Sequence, residues 1–81
     1  MIPRVAEAHH VRDYIIWLKF QDGVEGEIDL KPQLYGEIFE PLTAEPFFLQ
    51  FRVDPDLHTL TWPNEADFAP EFLYEKVQVS A

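Results

Sequence analysis

The amino-acid sequence predicts an α+β fold: an antiparallel sheet built from an N-terminal three-strand meander plus a second hairpin, with a short central helix and a C-terminal helix. Three observations predict it. Two runs rich in β-branched and aromatic residues, 14–20 and 24–30, are separated only by Gln21-Asp22-Gly23. Two shorter runs, 51–54 and 59–62, bracket the turn-forming Pro55-Asp56. Beyond Pro70, the apolar residues Phe72, Leu73 and Val77 recur at helical spacing.

Residues 4–8 read as a short strand with Val5 as its core contact, and the polar run 9–13 as the turn that follows. The next two strands fix their own register, because residues opposite each other in an antiparallel pair share a face. A two-residue Asp22-Gly23 turn would set Leu18 opposite Glu27 and Ile16 opposite Asp29, placing carboxylates on the apolar face. A three-residue loop instead pairs Phe20 with Val24, Leu18 with Gly26, Ile16 with Ile28 and Tyr14 with Leu30, and one face becomes wholly core. Gly23 then takes the left-handed position, which glycine occupies cheaply. On the other face Lys19 meets Glu25, a surface pair worth about 0–1 kcal/mol, and Trp17 meets Glu27.

Pro32 ends the sheet after Leu30, since proline cannot donate to a ladder. Residues 37–42 form a helical turn or irregular crossing with Phe39 and Leu42 inward. Thr43 is positioned to cap a short helix that has Glu45 and Pro46 in its first turn, carries Phe47, Phe48 and Leu49, and ends near Gln50. In the second hairpin Phe51, Val53, Leu60 and Trp62 point to the core, and Arg52, Thr59 and Thr61 face water. Residues 63–66 leave the sheet. Asp67 or Ala69 then precedes the last helix, with Pro70 and Glu71 in its first turn and Phe68, Ala69, Phe72, Leu73 and Val77 on its apolar side.

Eighty-one residues suffice for one core and not two, so residues 1–81 are expected to form a single compact domain. The absence of cysteine excludes disulfides and thiolate zinc sites. No stretch approaches the roughly 20 apolar residues of a membrane helix, and residues 1–4 do not read as a signal peptide, so a cytoplasmic protein is expected. Fifteen acidic residues against six basic ones give a formal charge of −9. Such a chain repels a phosphate backbone, which argues against direct nucleic-acid binding, and attracts a basic protein partner.

Glu25, Glu27 and Asp29, at every second position, project from one strand face beside Ile15 and Trp17. The carboxylates alone would suit an ordinary solvated face, a cradle for basic side chains or a hard-cation site, but a purely solvated face seldom carries Ile15 and Trp17. Those five residues are the candidate partner surface. A second candidate is the polar loop of Trp62, Asn64 and Asp67, which could serve a carboxylate-dependent cation-binding protein or enzyme together with Glu71, or could simply satisfy backbone donors ahead of the last helix. Neither a serine or cysteine nucleophile nor a paired histidine lies near it in sequence. The adjacent His9 and His10 diverge, His58 falls in a turn, and Gly23, Gly26 and Gly36 lack phosphate-loop spacing. No catalytic residue, metal or cofactor is therefore expected. Self-association through an exposed edge strand is a third expectation.

One ordered set of features carries a resemblance: Phe20-Gln21-Asp22-Gly23 with Glu27, Asp29 and Leu30, then Phe39, Leu42 and Phe47, then Val53-Asp54, Trp62-Pro63-Asn64, Ala66-Asp67, Ala69-Pro70 and Leu73-Tyr74. Over residues 4–75 the chain resembles a stand-alone member of the bacterial domain-of-unknown-function family 2442. The resemblance implies a compact α+β fold and no established reaction, with some relatives fused to a helix-turn-helix and others encoded beside small toxin-like proteins. Only eight residues follow Leu73 in this sequence, so a fused DNA-reading domain is not expected here. Relatives usually carry glycine after the equivalent of Asn64, where this chain has Glu65, so a positive φ there would strain this chain.

Overall fold

A computed structural model describes residues 2–80 of the chain, with side chains through Val77. Strands β1 (Val5–Arg12), β2 (Ile15–Phe20) and β3 (Glu25–Asp29) form an antiparallel sheet in that order. A separate two-stranded hairpin follows, β4 (Arg52–Val53) with β5 (Leu60–Thr61). Between the sheets lie two single 3-10 turns, Lys31–Gln33 and Glu40–Thr43, and the one-turn helix α1 (Glu45–Phe48). Helix α2 (Pro70–Ser80) packs against β3.

The β2–β3 register is the one the core requires: Ile16 faces Ile28, Leu18 faces Gly26, Trp17 faces Glu27 and Lys19 faces Glu25. Hydrogen bonds from Phe20 N–H to the Val24 carbonyl, 2.8 Å, and from Leu30 N–H to the Tyr14 carbonyl, 3.0 Å, extend the pairing at both ends. Gly23 closes the three-residue loop at φ 95°, a left-handed conformation that costs glycine little. Ile16, Leu18, Phe20, Ile28 and Leu30 are buried on the inner face, and Glu25, Glu27 and Asp29 stand exposed on the outer one. Gly26 meets the core because α2 lies against it. A Cβ there would come within 2.9 Å of Val77 Cγ1.

Strand β1 is longer than its sequence suggests. His9, His10, Val11 and Arg12 belong to the strand rather than to a turn, and the reversal is confined to Asp13 and Tyr14. Register shifts at Ala6 and Val11 insert one extra residue each, so alternation fails along β1 although the ladder continues. Asp13, with φ 47°, makes the tight return, and Asp tolerates that region better than most residues.

The core is one cluster in which the inner face of the first sheet, Leu42, Phe48, Leu60, Trp62 and Phe68 meet Leu73 and Val77 of α2. Phe48 is its aromatic hub, with the Tyr14 ring edge-on at 5.0 Å and Trp62 at 5.9 Å. Tyr14 also donates its hydroxyl to the Thr43 carbonyl, which ties the end of the sheet to the irregular segment before α1.

Three local expectations are corrected. Thr43 does not cap α1: its hydroxyl donates back to the Glu40 carbonyl, 2.7 Å, and Ala44 occupies the cap without a side-chain bond. Thr59 and Thr61 do not face water, being 3% and 7% exposed. The chain after β5 folds back beside it, with Thr61 bridged to Asp67, so a third segment covers what would otherwise be the outside of the hairpin. Thr59 Oγ1 is satisfied there by the Phe68 carbonyl, 2.5 Å, whereas Thr61 Oγ1 is buried without a protein partner. Finally, Ala69 is exposed while Leu73 and Val77, one turn apart, carry the buried stripe of α2.

Candidate functional site

The outer face of the first sheet is built by the alternation of β2 and β3. Register places its side chains in three rows across the strands: Arg12, Ile15 and Asp29; His9, Trp17 and Glu27; Glu7, Lys19 and Glu25. Trp17 sits in the middle. The His9 ring stacks on the indole, centroids 5.3 Å apart and planes 15° apart, which accounts for part of its burial. Ile15 and Trp17 are half-buried, and Glu25, Glu27 and Asp29 form an exposed acidic border along β3. Helix α2 lies on the opposite face, where Val77 meets Gly26. The five residues singled out from sequence therefore share one surface.

That border is weakly neutralised by the chain itself. The acid–base contacts within 4.0 Å among the described residues are His9 with Glu7, an ion pair only when the imidazole is protonated, and Arg52 with Asp54. Lys19 stands opposite Glu25 in register without reaching it, so the expected surface pair is absent as a contact. Asp29 has a structural task as well, since its Oδ1 accepts the Lys31 N–H at 3.0 Å where the strand turns into the first 3-10 turn. At the hairpin tip, Asp22 accepts the Tyr74 hydroxyl at 2.7 Å and the Val24 N–H at 3.0 Å, and these bonds, Tyr74 first, hold its carboxyl below the usual range.

The second candidate separates into two parts. Trp62 and Asn64 are scaffold. The indole N–H donates to the buried Phe48 carbonyl, 2.8 Å; Asn64 Nδ2 donates to the Ile38 carbonyl, 2.9 Å; and Asn64 Oδ1 accepts the Ala66 N–H, 3.1 Å. Glu65 between them has φ 70°, the left-handed conformation in which a glutamate is strained and a glycine is not.

Asp67 instead opens, with Arg52, Asp54, Thr61 and Glu65, onto a cleft of about 450 Å³ that neither Asn64 nor Glu71 lines. Asp54 is held below the usual carboxylate range by the N–H groups of Leu57 and then Asp56. Sequence reasoning missed Arg52, Asp54 and Glu65 here. The Asp54-Pro55-Asp56 turn was the one local signal, and it marks a turn rather than a cleft.

The three histidines occupy separate places. His9 covers Trp17; His10 Nε2 lies 2.9 Å from the Asp13 carbonyl with its ring edge on Phe48; His58, with φ 54°, offers its carbonyl to the Val5 N–H. No group of three His, Asp or Glu side chains among the described residues is arranged to hold a metal ion. No helix among them is long and apolar enough to cross a membrane.

The family described as "Protein of unknown function (DUF2442)" matches residues 5–78. Comparison with curated proteins and with solved structures returned no match.

Proposed function

We propose, from the premise that the chain belongs to the DUF2442 family, that it is a non-catalytic binding module whose partner is a basic protein. The partner docks on the outer face of the first sheet, where Glu25, Glu27 and Asp29 border Ile15 and Trp17. One observation carries the reading: these exposed carboxylates flank a half-buried tryptophan on a sheet face that α2 leaves open, and neither of the two close acid–base pairs among the described residues involves Glu25, Glu27 or Asp29. An apolar centre with a polar rim is the anatomy of a protein interface, and a chain of formal charge −9 steers a cationic partner toward it. A regulator or antidote of a small basic toxin-like nuclease is the finer form of this proposal, since neutralising a nucleic-acid-binding surface calls for a carboxylate-rich face.

The test uses the intact chain immobilised beside its E25Q/E27Q/D29N variant to capture proteins from the source cell at low and high salt. Basic proteins retained at low salt, released as salt rises and lost with the triple variant are expected. Capture indifferent to both salt and the substitutions overturns the proposal.

A further inference from the structure

The hydrogen-bond phase of the first sheet determines where the backbone of β3 points. In an antiparallel pair, alternate residues exchange bonds with the neighbour, and the residues between them turn their N–H and C=O groups the other way. Phe20 bonds to Val24 and Leu30 to Tyr14. Counting inward by twos, Leu18 with Gly26 and Ile16 with Ile28 are the bonded pairs, while Lys19 with Glu25, Trp17 with Glu27 and Ile15 with Asp29 are not. The main-chain groups of Glu25, Glu27 and Asp29 therefore face away from β2. Strand β3 ends the sheet, and none of these three residues has a main-chain partner among the described turn and loop bonds. The opposite edge differs, because β1 meets the second hairpin, with Val5 N–H donating to the His58 carbonyl at 2.9 Å.

The geometry points to β3 as a site of strand addition: an extended, basic segment of the partner pairs with the outward main chain of Glu25, Glu27 and Asp29 and sets alternate Lys or Arg side chains against their carboxylates. This deepens the function proposed above and rests on it. Charge selects the occupant. A second copy of the chain would bring three carboxylates against three, and like charges directly across a ladder are destabilising. A basic strand gains main-chain bonds and ion pairs together, the mode by which exposed sheet edges take up peptides. Proteins commonly protect an edge with charge, and this edge uses a single sign, which bars its own kind and leaves it open to the opposite sign.

Three synthetic peptides test this against the unmodified protein: alternating Lys-Val-Lys-Val-Lys-Val-Lys, the same peptide N-methylated on every lysine, and the same N-methylated on every valine. All three carry the same charge. In an antiparallel pairing that turns lysines toward the acidic face, the lysine amides make the bonds to β3, so the lysine-methylated peptide binds about tenfold or more weaker while the valine-methylated one stays within about threefold of the parent. The reverse pattern supports strand addition in parallel orientation. Equal binding of all three overturns the edge inference and leaves the acidic face standing, and failure of the parent peptide to bind overturns both. A second measurement uses the protein's own backbone. E27P removes one outward N–H without removing a bond to β2, so it should match wild type in thermal unfolding yet bind the parent peptide more weakly than E27Q. Equal affinity of E27P and E27Q, with both folded, likewise overturns the edge inference.

Discussion

The three-stranded sheet and the β4–β5 hairpin are both antiparallel, yet different forces hold them. In the sheet, a continuous ladder places each side chain, and the positive-φ positions at its two turns fall to Asp13 and Gly23, residues that bear that conformation well. The hairpin has two ladder pairs and relies on side-chain-to-main-chain bonds: Asp54 to Asp56 and Leu57, Thr59 to Phe68, Asn64 to Ala66. Its positive-φ positions fall to His58, which enters that region about as readily as Asp13, and to Glu65, which bears it poorly. The contrast teaches that the sheet is the stiff platform that presents the acidic face. The hairpin and its cleft carry the local costs, an unpartnered threonine hydroxyl and a strained glutamate.

The largest expected effect strikes the sheet. Gly26→Ala forces a methyl to within 2.9 Å of Val77 Cγ1, and overpacking of that kind costs about 1–3 kcal/mol. Urea unfolding should show it, and an unchanged midpoint would mean that α2 yields and that the sheet is no stiffer than the hairpin. A smaller effect of opposite sign is expected in the hairpin. Thr61→Val replaces the buried, unpartnered hydroxyl with a methyl and should raise stability by about 1 kcal/mol at unchanged denaturant slope. A loss would show that the hydroxyl serves a ligand or an ordered water. The smallest is Glu65→Gly, where relief of the left-handed penalty, about 1–2 kcal/mol, is partly offset by glycine's greater freedom when unfolded, leaving a gain of about 0.5 kcal/mol. Destabilisation there would mean that the glutamate side chain holds the loop.

The same contrast explains what the sequence could reveal. The β2–β3 register was legible because alternation of apolar and acidic residues leaves one pairing that keeps Glu27 and Asp29 off the core face. Ile15, Trp17, Glu25, Glu27 and Asp29 were brought onto one surface by that argument alone. The end of β1 was not legible, because the bulges at Ala6 and Val11 break the alternation and His9-His10-Val11-Arg12 then reads as a polar turn. Thr59 and Thr61 were misplaced for a nonlocal reason: their burial is decided by residues 66–68 folding back beside β5, which no period within 59–62 encodes. The cleft was hidden likewise, since Arg52, Asp54, Thr61, Glu65 and Asp67 converge only after that return. The positive φ of Glu65 is an instance in which family resemblance was informative where residue pattern was silent.

Between the two sheets, the chain from Lys31 to Gln50 contains no regular element longer than four residues. It is pinned from outside by three side chains that each seize one of its carbonyls: Tyr14 at Thr43, Trp62 at Phe48 and Asn64 at Ile38. A flap riveted at three points, with its rivets set in two different walls, does not peel from one end. It lifts away as a unit when the rivets fail together, so its amides should exchange with solvent in concert.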